Sequence, residues 1–173
     1  MIVYHQAFDL YHSVYRILQI LTHFERSEYV EIDRLRIWDF YLLFPDKMST
    51  IKLKKDEADI KALIKNYISS KENPYENIID NRKMFEKIKP YQFTAIKCLA
   101  SYGIINKEFL SENRVTIISK TILENHVAKF EPLSAKERNV IGLLTSHFYQ
   151  ISMYGPMGLK DRTKLLESRY DAQ

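Results

Sequence analysis

Between Glu31 and Pro45 the chain reads EIDRLRIWDFYLLFP, and no other stretch limits the possible folds so tightly. From Ile37 to Phe44 every residue except Asp39 is apolar or aromatic, and Trp38 is the only Trp in the chain. Ile32, Leu35, Trp38 and Leu42 recur at helical spacing, and Tyr41 and Phe44 widen that face. A helix apolar on nearly every side is buried on nearly every side. Pro45 ends it, because the residue before a proline resists helical backbone angles. Its 15 residues, with three acidic and two basic side chains, are too short and too charged to cross a bilayer, which takes about 20 apolar residues. The stretch is a central core helix, and the remaining chain must be arranged to cover it.

Asp39 is the one discordant residue in that run. A buried, unpaired carboxylate is costly. The expected solution is an intrahelical pair with Arg36, and a paired-carboxylate active site is the sharper alternative. Charge is unevenly spread around this helix. Residues 1–45 carry four basic and six acidic side chains, net −2, and residues 46–173 carry 22 and 16, net +6. The four early cations are all arginines, Arg16, Arg26, Arg34 and Arg36, and every lysine comes later. Arginine suits fixed carboxylate pairs and lysine suits solvated surface. The early part therefore reads as core or interface, the later part as ordinary surface with basic patches.

The 173 residues make one domain or two small parts sharing a core, here divided as 1–72 and 73–173. With a single cysteine, Cys98, no internal disulfide and no multi-cysteine metal site can form. One thiol, and no export-type apolar run in MIVYHQAFD, makes the cytoplasm the expected location. No membrane association is expected.

A first helix is predicted over about Phe8–Phe24. Tyr4, Phe8, Tyr11, Tyr15 and Leu18 form a stripe, broadened by Val14, Ile17 and Leu21, which is expected to pack into the core rather than serve as an aromatic ligand platform. His5, His12 and His23 are seven and eleven residues apart. Metal ligation favours closer spacing and carboxylate partners, so no metal site is expected. The short link ERSEYV makes the first two helices an antiparallel or crossed pair. Residues 46–54 read as a loop and a short strand. KKDEADIKALIKNYI is an amphipathic helix, and ISSKENPYENIIDN is linker-like.

Asp80 is expected to cap a helix over Arg82–Lys89 that Pro90 stops. A second helix over Tyr91–Tyr102 is closed by Gly103, and IINKEFL, a short helix, and RVTIIS, a β-type run, follow. Helix, turn, helix, strand is the order of a winged-helix unit. Ser134 and Glu137 form a capping box for a helix reaching about Tyr154, and a last helical piece covers Lys160–Glu167. The fold class expected is mainly α, a helical domain with winged-helix-like elements and little β.

No Walker A loop, dinucleotide glycine fingerprint, HExxH or GxSxG is present. Cys98 lies between apolar residues, the usual setting of a structural thiol. No catalytic residue and no cofactor is expected. One stretch suits nucleic acid: Arg82, Lys83, Lys87, Lys89 and Lys97 face a single acid, Glu86, with Phe85, Tyr91 and Phe93 interleaved. An ordinary solvated helix surface remains the competing reading. Lys160, Arg162, Lys164 and Arg169 form a weaker second basic candidate. Tyr11, Tyr15, Arg16 and Arg34 are the candidate partner interface, being of the residue types enriched where proteins meet.

Four stretches together, YHQAFDLYHSVYRIL at 4–18, EIDRLRIWDFYLLFP at 31–45, NPYE at 73–76 and FEKIKPYQFTAIKCLASYGII at 85–105, resemble the small middle component of bacterial ABC three-component systems, which include the Lamassu type of phage and plasmid defence. The resemblance covers about residues 1–120. It implies a non-enzymatic subunit of helical and winged-helix character that bridges an SMC-like ABC ATPase and an effector, often a nuclease. A stand-alone winged-helix DNA-binding regulator is the alternative.

Overall fold

The computed structural model describes residues 4–68 and 78–167. A 3-10 turn at Gln6–Phe8 leads into α1 (Leu10–His23), and β1 (Tyr29–Glu31) runs directly into α2 (Ile32–Leu43). After a 3-10 turn at Pro45–Thr50 come α3 (Ala58–Tyr67) and α4 (Asn81–Ser101). A 3-10 turn at Glu108–Glu112, β2 (Arg114–Thr116), α5 (Lys120–Val127), α6 (Ala135–Ser146), a 3-10 turn at Phe148–Gln150 and α7 (Leu159–Thr163) complete the order. The protein is mainly α. Its strands β1 and β2 pair antiparallel, with Val30 opposite Val115, and Ile105 bridges to Ile117 on the far side of β2.

α2 is the centre, as its sequence predicts. Leu35, Ile37, Trp38, Phe40 and Asp39 are all fully buried, and α1, α4 and α6 pack around it. Its entry is fixed by β1 and by the Ile32 amide, which donates to the Asn113 carbonyl at 3.2 Å. Pro45 both ends α2 and opens the next 3-10 turn, a position where a missing N–H costs nothing. The expected boundary at residue 72 lies outside the described residues, as does most of the linker-like stretch. Described elements from both sides share one hydrophobic core.

Several expected boundaries are corrected. α1 starts at Leu10, where the Asp9 side chain accepts from the His12 amide as N-cap, and Phe8 falls in the turn before it. The expected strand in 46–54 is replaced by the 3-10 turn at Pro45–Thr50. The ERSEYV link contains β1, and α5 was not foreseen. α6 keeps its capping box but stops at Ser146 rather than Tyr154. The Arg34 guanidinium draws the carbonyls of Phe148, Tyr149 and Ile151 onto itself, so the helical ladder does not continue through them. α7 ends at Thr163, with Lys164 in the left-handed region at φ 57°.

The largest correction concerns Pro90. α4 runs unbroken from Asn81 to Ser101 with Pro90 inside it. Proline removes one hydrogen bond and crowds the preceding turn, but Pro90 and Glu86 lie on the exposed side, where water can serve the freed carbonyl. Phe85 and Ile88 before it, and Gln92, Ala95, Ile96 and Leu99 after it, are buried and hold both segments on one core. The helix–turn–helix expected over 82–102 is therefore a single helix, and the winged-helix order does not form there. Gly103, at φ 71°, then closes α4, a conformation glycine adopts without steric cost.

Candidate partner and nucleic-acid surfaces

Three helices are joined at the centre by a buried polar chain. Arg16 of α1 donates to Asp39 of α2 through Nε at 2.6 Å and Nη2 at 3.3 Å. Gln92 of α4 donates to Asp39 Oδ2 at 2.8 Å and to the Arg36 carbonyl at 3.1 Å. Arg36 in turn donates to Gln92 Oε1 at 3.0 Å and to Asp33 at 3.1 Å. Its guanidinium carbon lies 4.4 Å from the Phe85 ring centre and 5.2 Å from that of Phe93, so two aromatic faces replace part of its lost hydration. Burial pulls the Arg36 guanidinium below its ordinary pKa, against the opposing pull of Asp33.

The expected Arg36–Asp39 pair is thus corrected. Side chains on a helix lean toward its N-terminus, so Arg36 reaches back to Asp33, and Arg34 likewise reaches back to Glu31 at 2.8 Å. Asp39 is left for a cation from another element, and Arg16 supplies it. Two residues proposed for a partner interface therefore stand elsewhere: Arg16 is 5% and Arg34 is 4% exposed. Both guanidinia are committed to internal hydrogen bonds, although Arg16 also lines the groove beside Tyr11 and Tyr15. Of the second basic candidate, Arg162 is buried and donates to both Glu57 oxygens, at 3.0 and 2.8 Å. Lys164 pairs with Asp161, and Arg169 lies outside the described residues.

With the polar residues of α1 inward, the aromatics at its start and just before it are turned out. Tyr4 is 62%, Phe8 39% and Tyr11 61% exposed, so the expected packing of this stripe in the core holds only for its later members. The rings form two contact groups, one through His12 and Phe130 and one around Phe8. Tyr4 meets His12, Phe8 meets Tyr91 of α4 at 5.8 Å, and Tyr11 and half-buried Tyr15 meet Phe130 at 5.3 and 5.6 Å. A groove of about 400 Å³ runs beside them, lined among others by Leu43, Phe130, Glu131 and Glu137. Burial, and the Glu137 and Glu131 carboxylates, push the Tyr15 phenol above its ordinary pKa. Phe130 had no signature in the sequence. It follows α5, and only the fold brings it to α1.

The other candidate surface is α4. Arg82, Lys83, Lys87, Lys89 and Lys97 are all exposed, and at 100° per residue they share its outward side with Glu86. Of the aromatics expected between them, Phe85 is buried and Phe93 half-buried, both against Arg36. Tyr91 alone stands at the flank, where it meets Phe8.

The three early histidines have separate local roles. His5 accepts from the Ala7 amide, His12 stacks with Tyr4 and Tyr11, and His23 bonds the Gln19 carbonyl. Among the described residues no group of three His, Cys, Asp or Glu side chains is placed to hold a metal ion. No described helix is long and apolar enough to cross a membrane. Cys98 is half-buried on α4.

A protein-family model described as "ABC-three component (ABC-3C) system Middle Component 5" matches residues 2–171. No curated protein and no solved structure matches the chain.

Proposed function

The chain belongs to the middle component 5 family of ABC-three component systems, and on that premise we propose that it is a non-catalytic accessory subunit of a Lamassu-like defence assembly, bridging an SMC-like ABC ATPase and a nuclease-type effector. The observation that carries the bridging role is the aromatic surface formed by α1 and the segment before it. Tyr4, Phe8 and Tyr11 remain exposed beside one another in the folded chain. Large rings at the surface lose apolar contact with every water they keep, and such patches mark interaction sites. The rings also hold one another in place, so docking on them costs little side-chain entropy. Tyrosine is a frequent anchor of protein interfaces.

The test is co-expression with the products of neighbouring genes and purification through a tag on this subunit. A stable assembly is expected, and the pair of substitutions Tyr4→Asp and Tyr11→Asp should dissolve it while the isolated variant melts like the parent. A subunit that purifies alone, ignoring every neighbouring product, would rule the bridging role out.

A further inference from the structure

We propose that the outward face of α4 binds the phosphate backbone of duplex DNA without reading its sequence. The inference follows from the continuity of α4 through Pro90. Two helices meeting at a turn would point their cations in different directions. One helix lines them up: Arg82, Lys83, Lys87, Lys89 and Lys97 against Glu86, which is 5 − 1 = +4 over Asn81–Ser101. From Arg82 to Lys97 the stripe extends about 22 Å at 1.5 Å per residue, roughly the length of six base-pair steps.

Arg82 pairs with Glu167 at 3.1 Å and Lys89 lies 4.0 Å from Glu86, all four about half exposed. No carboxylate among the described residues pairs with Lys83, Lys87 or Lys97. These three are the free charges of the stripe.

The residues between the cations decide which polyanion fits. Pro90, Thr94 and Ser101 occupy the outward positions, and no large apolar side chain stands among them. A protein partner needs a desolvated apolar centre and would find only exposed ion pairs here, worth about 0–1 kcal/mol each. A single strand needs rings on which its bases can stack, and Phe85 and Phe93 are turned inward against Arg36. A duplex backbone asks only for cations and small polar groups along a straight edge. Lysine, a point charge on a flexible stem, meets phosphates without fixing sequence or register.

The experiment uses the full chain and two fluorescein-labelled 20-base-pair duplexes of unrelated sequence, read by anisotropy between 50 and 200 mM salt. Both should bind equally within about twofold, with log K falling against log salt at a slope near −0.9 per phosphate neutralised. The triple variant K83E/K87E/K97E, checked for an unchanged melting curve, should bind at least about tenfold more weakly at the lowest salt and lose about 2.7 from the slope. The variant K107E/K129E/K136E has the same net charge, with its changes off α4, and should stay within about threefold of the parent.

Equal losses in the two variants, tighter binding to a 20-nucleotide single strand, equal binding to polyglutamate, or no binding at 50 mM would each overturn the proposal. Assembly with partner subunits is read separately by co-purification. The α4 variant should still assemble, so a failure here is distinguishable from a failure of the bridging role.

Discussion

α1 and α4 lie against each other and against α2, yet they show solvent opposite chemistries. α1 has buried an arginine, a serine and a glutamine, Arg16, Ser13 and Gln19, and together with the segment before it leaves the rings of Tyr4, Phe8 and Tyr11 outside. α4 has buried Phe85 and its aliphatics Ile88, Ile96 and Leu99, half-buried Tyr91 and Phe93, and left lysines outside. A lysine surface is what water solvates best and needs no partner for stability. An aromatic surface keeps apolar area in water at about 25 cal/mol per Å², and so points to something that covers it. The contrast is the basis on which a protein partner is proposed for the aromatic surface and a solvated polyanion for α4.

The strongest way to break the contrast is to remove the polar chain that turns α1 aromatic-side out. Asp39→Ala leaves the Arg16 charge buried and uncompensated, a change that costs about 3–5 kcal/mol. Since a domain typically holds about 5–15 kcal/mol, the variant should unfold at much lower urea. An unchanged midpoint would mean that Arg16 does not depend on Asp39, and the orientation of α1 would need another cause. Trp38→Ala should destabilise by a comparable amount, about 3–5 kcal/mol, because the fully buried indole packs against Phe24 and Tyr149. Its emission should be blue-shifted in the folded parent. Solvent-like emission would move α2 to the surface.

A smaller effect sharpens the comparison on the α1 side alone. Asp9 caps α1 between the exposed rings of Phe8 and Tyr11, and Asp9→Ala should cost about 1 kcal/mol, as N-cap losses do. The His12 amide holds the Asp9 carboxyl below its ordinary pKa. The unfolded chain therefore takes up the proton first. The cap's contribution is complete above about pH 4 and disappears as pH falls through the lower folded value. Melting temperatures across that range should drop more steeply for the parent than for Asp9→Ala, and parallel curves would contradict the cap's role. The smallest change in stability is expected for Tyr11→Ala, within about 0.5 kcal/mol as for surface sites, though it should weaken assembly.

How much of this was legible beforehand differs between the same two helices. α2 could be read because a segment apolar all round has no wrong way to face. α1 could not, because periodicity says which residues share a face and not which face is covered. Tyr11 and Tyr15 do share a face of α1, while Tyr4 and Phe8 come before the helix begins. What sent it outward was the demand of Asp39 for a cation, which Arg36 could not meet because its side chain leans back to Asp33. Of the four early arginines, Arg16, Arg34 and Arg36 are buried in fixed pairs, though their use is internal, and Arg26 is exposed. On α4 the basic residues were found, while their alignment was not, because Pro90 locally argues for a break and only packing of the flanking buried residues overrides it. Phe130 and Gln92 gain their places through contacts far apart in sequence, where no spacing rule reaches.

The claim that α1 carries the partner surface is tested most directly by hydroxyl-radical footprinting of the subunit alone and within its assembly. Tyr102 is 66% exposed at the C-terminal end of α4, and Tyr4 and Tyr11 are exposed to a similar degree, 62% and 61%, so all three should oxidise at similar rates in the free subunit. In the assembly the account predicts strong protection of Tyr4, Phe8 and Tyr11 with Tyr102 unchanged. Equal oxidation of the α1 rings before and after assembly would contradict it.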